Sequence, residues 1–318
     1  MKLALCFHRS LAVVALLALV SCATPSAPHV AHAPLARHVV LIGVDGLSPR
    51  GILETDTPHL RALARRGAHT WRARAVMPTS SSPNWASMIM GAGPEQHGVT
   101  SNDWQPDKFD IAPVVKGPRG IFPTIYGALR EQRPDAMIGI FHDWKDYARL
   151  VERDMVDVIE HPINDGKTDM GARQTMAAAI KFLDGKKPTF LFVHLDHVDH
   201  AGHQIGWFTE EYFAAVRVAD KLIGDMVAAI KQAGLEKDTI ILVTSDHGGV
   251  GKKHGGATMG EIEIPWIIAG PAIKPGHVIT APVNTYDTAP TLAKIFDLTP
   301  PTGWIARPVA SAFVQGVD

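Results

Sequence analysis

The chain has 318 residues, 46 % of them hydrophobic and 20 % charged. That composition excludes a disordered or fibrous protein and allows one large domain with a well-buried core. The formal net charge of -1, from 31 Lys and Arg against 32 Asp and Glu, offers no basic excess with which to hold a nucleic-acid polymer.

Lys2 and Arg9 precede a wholly apolar run at 11–20. The run is too short to span a bilayer, which takes about 20 residues, and the pattern is that of an export signal. It ends in Leu19-Val20-Ser21-Cys22, which resembles the bacterial lipobox, where cleavage precedes a Cys that is then acylated. The expectation is a lipoprotein signal peptide over 1–21 and a lipid anchor on Cys22. A flexible tether rich in Ala, Pro and His follows over 22–36. Ala23 after the Cys favours, by the same resemblance, the outer membrane and its periplasmic face. A plain signal peptide cleaved nearby is the alternative. Cys6 and Cys22 are the only two cysteines, so the body over 37–318 holds neither a disulfide nor a thiolate metal site.

From residue 37 onward, apolar runs alternate with helical patterns and no second linker appears. Buried strands are expected over 38–44, 136–141, 189–195, 239–244 and 265–269. Helices are expected over 58–66, 122–132, 171–183 and 209–233. The first has Thr57 as its cap and Gly67 at its stop; the last has Thr209 as its cap and Gly234 at its end. Continuous apolar strands alternating with helices imply an α/β sandwich around a mostly parallel central sheet. Ligands in such folds gather at the carboxyl ends of the strands.

Chemistry-bearing residues follow those strands directly. Strand 38–44 runs into Asp45-Gly46, and strand 189–195 into Asp196-His197-Val198-Asp199-His200-Ala201-Gly202-His203. Strand 239–244 runs into Ser245-Asp246-His247-Gly248, with His254 soon after. Without thiolates, carboxylates and imidazoles are the natural ligands of a zinc-like ion. Pro78-Thr79-Ser80-Ser81-Ser82-Pro83-Asn84 precedes a helical stretch reaching Met90. A serine there places its oxygen at the positive end of a helix dipole, where a phosphate is stabilised as well.

Gly43-Val44-Asp45-Gly46, Pro-Thr-x-Ser-x-Pro-Asn before a helix, Asp199-x-x-Gly-His203 and Ser245-Asp246-His247-Gly248 together resemble the alkaline phosphatase superfamily. The branch most similar is the type I phosphodiesterase/nucleotide pyrophosphatase group, over roughly 38–296. The resemblance implies an alkaline-phosphatase-like sandwich with helices on both faces of the sheet. It also implies two zinc ions, with other divalent metals compatible with the same donors. Asp45, Asp246 and His247 would hold one ion together with the nucleophile Ser81. Asp199, His203 and a later histidine would hold the other; His254 fits better than His277. Ser81 is the nucleophile by register, with Ser80 and Ser82 as neighbours that blur it, and Asn102 matches a donor to a phosphate oxygen. Trp85 stands where the family commonly has His.

The function implied is hydrolysis of a small phosphate ester, a diester in this branch, through a covalent Ser81 intermediate. A phosphomonoesterase of the same superfamily and a catalytically silent surface lipoprotein are the alternatives. A sulfatase would need Arg where Trp85 stands. The segment 103–119, with Trp104 and Phe109, is expected to line the substrate pocket, and His194, Asp196, His197 and His200 to surround the metal ligands.

Overall fold

The computed structural model describes residues 33–162 and 169–316; the expected signal peptide, Cys22 and most of the expected tether lie outside them. The described residues form eight strands: β1 (His38–Val44), β2 (Ala68–Arg74), β3 (Ile138–His142), β4 (Val158–Glu160), β5 (Phe190–Leu195), β6 (Thr239–Thr244), β7 (Glu263–Ala269) and β8 (His277–Val278). They make one sheet in the order β4-β3-β5-β1-β6-β7-β2-β8. β7 runs against both of its neighbours, and every other pairing is parallel.

The continuous apolar strands follow from burial on two faces. Along β1, Val39 and Leu41 face a core shared with Phe190, Phe192 and Leu242. The alternate residues Val40, Ile42 and Val44 face a second core with Leu191, Val193 and Val243. Successive strand side chains point to opposite faces, so a central strand must be apolar at every position. The helices Ser81–Met90, Ile125–Gln132 and Thr288–Phe296 close the first core through Ile89, Leu129 and Leu292. Pro58–Arg66, Met170–Lys186 and Glu210–Gln232 close the second through Leu60, Met176 and Ile223. This is the expected sandwich, with helices on both faces.

Some local expectations change. Thr57 precedes the helix Pro58–Arg66, but its side chain makes no cap; the hydroxyl donates to Ile52 O instead. The cap comes from across the core, where the Asp220 carboxylate accepts His59 N at 3.2 Å and Leu60 N at 2.7 Å. The helix expected from 122 begins at Ile125, because the Thr124 hydroxyl accepts Tyr126 N and Gly127 N and so sets the start. β2 was not expected. Its Ala-His-Thr-Trp-Arg-Ala-Arg sequence mixes buried, half-buried and exposed positions and has no apolar run.

For the site, the decisive feature is that β5, β1 and β6 are adjacent and parallel. Their carboxyl ends lie along one edge, which brings the segments after Val44, Leu195 and Thr244 together across about 200 residues of chain.

Candidate active site

Asp45 leaves β1 into Gly46, whose φ is +68°. A Cβ on Gly46 would sit 2.8 Å from Asp199 Cα, so glycine both makes the turn and lets the β1 and β5 ends approach. Gly46 N in turn donates to Asp246 Oδ1 at 3.2 Å. The backbone thus ties the three strand ends to one another.

Asp45, Asp246 and His247 are essentially fully buried. His247 Nε2 lies 3.3 Å from Asp45 Oδ1 and 3.2 Å from Asp246 Oδ2. Ser81 Oγ approaches the same Nε2 at 3.4 Å. Asp199, on the short helix His197–Gln204, meets His254 Nε2 at 3.7 Å. It meets His203 Nε2, one turn further along the same helix, at 3.4 Å. The rings of His247 and His254 stack with centroids 3.7 Å apart, so the two groups adjoin. Ligand atoms of Asp45, Asp246 and His247 lie within 4.8 Å of one another, as do those of Asp199, His247 and His254. His203 does not complete such a triad; it stands on the outer side of Asp199.

The hydrogen-bond roles of the three histidines are fixed by their other nitrogen. His247 Nδ1 donates to Gly248 O, His254 Nδ1 to Thr79 O and His203 Nδ1 to Lys252 O, at 2.8, 2.8 and 3.0 Å. A backbone carbonyl only accepts, so each Nδ1 carries a proton; in His247 and His254, where burial disfavours the charged ring, Nε2 is left as a lone pair facing the carboxyl groups. Burial and the neighbouring His254 push His247 down to about 3, so its ring is neutral. A neutral Nε2 therefore faces a carboxyl oxygen of Asp45 and one of Asp246 and offers neither of them a proton. Asp45 Oδ1, Asp199 Oδ1 and Asp246 Oδ2 are buried without a hydrogen-bond partner among the described residues. Burial and the charge of Asp45 push the carboxyls of Asp199 and Asp246 well above their ordinary range. Lone pairs and carboxylates facing one another across a buried gap are costly alone and suit a divalent cation, with oxygen and imidazole donors of the type zinc takes.

His194 behaves differently. Its Nε2 lies 3.3 Å from Asp45 Oδ2 and its Nδ1 3.3 Å from Asp143 Oδ1. Burial opposes the charge, but the two carboxylates raise it to about 10, so the ring is an imidazolium. Burial also works against Asp45, yet the hydrogen bond and charge of His194, with the hydrogen bond from Trp85, hold it at about 2. His194 thus anchors Asp45 from behind. Although Asp45, His194 and Asp196 also converge, a protonated His194 presents no lone pair to an ion. His197 turns to Ala215 O, away from the cluster.

Trp85 has a place as well. Its Nε1 donates to Asp45 Oδ2 at 3.1 Å, and its ring packs 4.7 Å from that of His194. It fixes the Asp45 rotamer where sequence alone left its role open. Of the three serines, Ser80 holds the cap position before the helix, and Ser82 Oγ accepts from Arg149 at 2.9 Å. Ser81 is the one whose hydroxyl meets the candidate ligands. Asn102 Oδ1 accepts Ser82 N at 2.8 Å, which holds the amide beside the serines. His277 lies on β8 at the far edge of the sheet.

Trp104 departs from expectation. It is 5 % exposed and belongs to the first core, so its face is not open to a ligand. The cavity it borders with Thr100, Ser101, Lys108 and Phe109 is about 90 Å³, well below the few hundred Å³ that a drug-sized ligand needs. Two residues of the site were not anticipated. Asp143 follows β3 just as Asp45 follows β1, and that strand-then-Asp signal was available. Arg149 lies in a short 3₁₀ helix, Lys145–Leu150, with no motif to mark it.

The sheet with its acid- and histidine-lined carboxyl edge defines an alkaline-phosphatase-like fold carrying residues capable of binding metal. Among solved structures it is similar to the alkaline phosphatase PafA in a multiply substituted form, with a TM-score of 0.73 and 12 % identity over 89 % of this chain and all of that one. It is also similar to murine ectonucleotide pyrophosphatase / phosphodiesterase 5, an inactive variant in complex with AMP. There the TM-score is 0.68 and the identity 16 %, over 83 % of this chain and 96 % of that one. A 2-O GAG sulfatase matches at a TM-score of 0.70 and 16 % identity, over 87 % and 74 %.

Residues 39–255 match the family model of type I phosphodiesterase / nucleotide pyrophosphatase, and the chain belongs to that family. The mouse ectonucleotide pyrophosphatase/phosphodiesterase family member 1 is 24 % identical over 229 residues, 68 % of this chain and 25 % of its own length. A venom phosphodiesterase of Macrovipera lebetinus is 24 % identical over 219 residues, 66 % of this chain and 25 % of its own. The chain therefore spans about a quarter of the length of these curated relatives.

Proposed function

We propose that the chain is a metal-dependent phosphoric ester hydrolase of the phosphodiesterase/nucleotide pyrophosphatase type, acting through Ser81. The observation that carries this reading is the inward lone pair of His247 Nε2 facing Asp45 and Asp246, with Ser81 Oγ 3.4 Å away. Asp45, Asp246, His247 and Ser81 would hold one divalent ion, and Asp199, His203 and His254 a second, zinc being the choice the donors favour. Bound there, the pair would supply Lewis-acid stabilisation of attacking and leaving oxygens.

The chain's own groups do the rest. Ser81 Oγ attacks phosphorus in line; the Oγ–P bond forms as the ester P–O bond breaks, and the alcohol departs. Water then cleaves the seryl phosphate ester and restores the hydroxyl. The dipole of the helix Ser81–Met90 favours the charge of a phosphoryl group at its N-terminal end. Asn102, anchored through its oxygen, offers its Nδ2 protons to a non-bridging oxygen. Trp85 and His194 hold Asp45 still throughout.

The family and a neighbour solved with AMP support nucleotides and other small phosphodiesters as the substrate class. The same reading places the catalytic domain at 37–318, exported and held in the envelope, facing the periplasm of the outer membrane, by a lipid on Cys22. The test is hydrolysis of bis-p-nitrophenyl phosphate by the zinc-loaded protein beside its Ser81→Ala variant. Turnover that depends on Ser81 is expected; equal turnover by both would overturn the assignment.

A further inference from the structure

The turn that carries Ser81 grips more than the nucleophile. Asn84, fully buried on the helix Ser81–Met90, folds its amide back over the residues before that helix. Its Oδ1 accepts Val76 N at 2.7 Å, and its Nδ2 donates to Pro78 O at 3.1 Å and Ser80 O at 2.9 Å. Thr79 is fixed inside that turn and is sealed from solvent. Its hydroxyl donates to Gly256 O at 2.7 Å and accepts Gly255 N at 3.0 Å, using both capacities of the group. Its carbonyl oxygen accepts His254 Nδ1 at 2.8 Å. One residue, two places before the nucleophile, therefore holds three consecutive residues of the loop that bears His254. The same loop is held from its other side by Glu261, whose Oε1 accepts Gly256 N at 2.8 Å and whose Oε2 accepts Thr258 N at 3.1 Å. The passage between the two is narrow. Gly255 has φ +100°, and a Cβ on Gly256 would lie 2.8 Å from the Glu261 carboxylate.

We propose that Thr79 is a positioning residue: by holding residues 254–256 against the nucleophile turn, it aims His254 Nε2 and keeps the second ion's place in register with Ser81. The inference rests on the reading in which His254 is a ligand of a second ion. The physical reason is the difference between a strand end and a loop. Asp45, Asp246 and His247 directly follow β1 and β6, so the sheet itself places them. His254 has no such support, and a loop that an ion must order loses conformational entropy on binding. Bonds from a buried, fixed residue order it beforehand. The bond from Nδ1 runs to the Thr79 backbone, so it survives a change of side chain. Removing the hydroxyl thus disturbs the aim of the ring while its tautomer stays set.

The experiment titrates zinc into the metal-free protein by calorimetry, beside its Thr79→Val, Thr79→Ala and Thr79→Ser variants. Valine keeps the shape of the side chain and removes both hydroxyl bonds; alanine serves if valine is not accommodated. The parent is expected to bind two ions. Thr79→Val should bind one at the parent's affinity and the other about 10- to 100-fold more weakly, the size of a lost partner behind a metal ligand. Thr79→Ser restores the hydroxyl and should recover most of that loss. Turnover of bis-p-nitrophenyl phosphate by the valine variant should fall at limiting zinc and return with excess zinc, which a merely misfolded protein would not do. Two ions bound by Thr79→Val as tightly as by the parent would overturn the proposal. So would a loss shared equally by both ions or a serine variant as weak as valine, because Thr79 would then only pack. Failure of the underlying reading shows separately, as a parent that takes up fewer than two ions or as turnover surviving in Ser81→Ala; the former would sink this inference with it.

Discussion

The two halves of the candidate metal centre are built differently. Asp45, Asp246 and His247 stand at the ends of two paired central strands and are sealed from solvent. Trp85, His194 and Gly46 N hold their rotamers. Asp199 and His203 stand one turn apart on a short helix, and His254 comes from a loop. His203 is 42 % exposed there. The first half is a preformed box inside the fold; the second is an open bracket on its rim. The contrast teaches that the strand ends set the geometry at the nucleophile, while the rim can adjust to what leaves. It also predicts that fold stability and metal binding are coupled in the first half and separable in the second.

The largest effect that could break this picture is at Ser81. Ser81→Ala should lose at least about 10³-fold in kcat while retaining the metal content of the parent by elemental analysis. Loss of metal with the hydroxyl would make Ser81 a structural ligand instead. Next is Asp246→Asn, for which metal content and turnover should both collapse. Yet the metal-free variant should be more stable than the metal-free parent at pH 8, by about 0.5–2 kcal/mol, because a carboxyl pushed upward by burial is costly when ionised. A metal-free variant that melts earlier would show that the box does not depend on a cation.

A buried carboxylate outside the site sharpens the comparison. Glu152 accepts from the Thr124 hydroxyl and from Gly127 N, and burial raises it to about 7. Its folded value lies above its unfolded one, so the folded state keeps a proton that the unfolded state has shed. Stability should therefore fall as pH rises from about 4.5 to 7, by up to about 3 kcal/mol, and level off above that. Glu152→Gln should flatten that slope in urea titrations with or without zinc, because no ion reaches this carboxylate. The smallest effect on the fold is expected at His203. His203→Ala should leave metal-free stability within about 0.5 kcal/mol while weakening the second ion at least about 10-fold. A large loss of stability would mean that the rim is as integral as the box.

Much of this was legible before any coordinates. Central strands buried on both faces write themselves as unbroken apolar runs, so β1, β5 and β6 were visible, and with them the Asp and His residues that follow. β2 was not, because a half-buried strand with Trp71, Arg72 and Arg74 carries no such run. Asp143 follows β3 and carries the same strand-then-Asp signal as Asp45; Arg149 was missed for another reason. The segment 143–150 has no helical or strand period, and only the sheet order shows that it ends at the nucleophile. The cap from Asp220 and the bond from Trp85 to Asp45 are long-range contacts of the same kind. Trp104 misled because an irregular polar segment concealed a residue of the core.

The central claim is that divalent ions sit between Asp45, Asp246, His247 and Ser81 and among Asp199, His203 and His254. Anomalous diffraction at the zinc edge from crystals of the zinc-loaded protein tests it directly. Two peaks are predicted, one in each group, with the first in contact with Ser81 Oγ. A peak between Asp45, His194 and Asp196 instead, or none within reach of Ser81, would contradict the account.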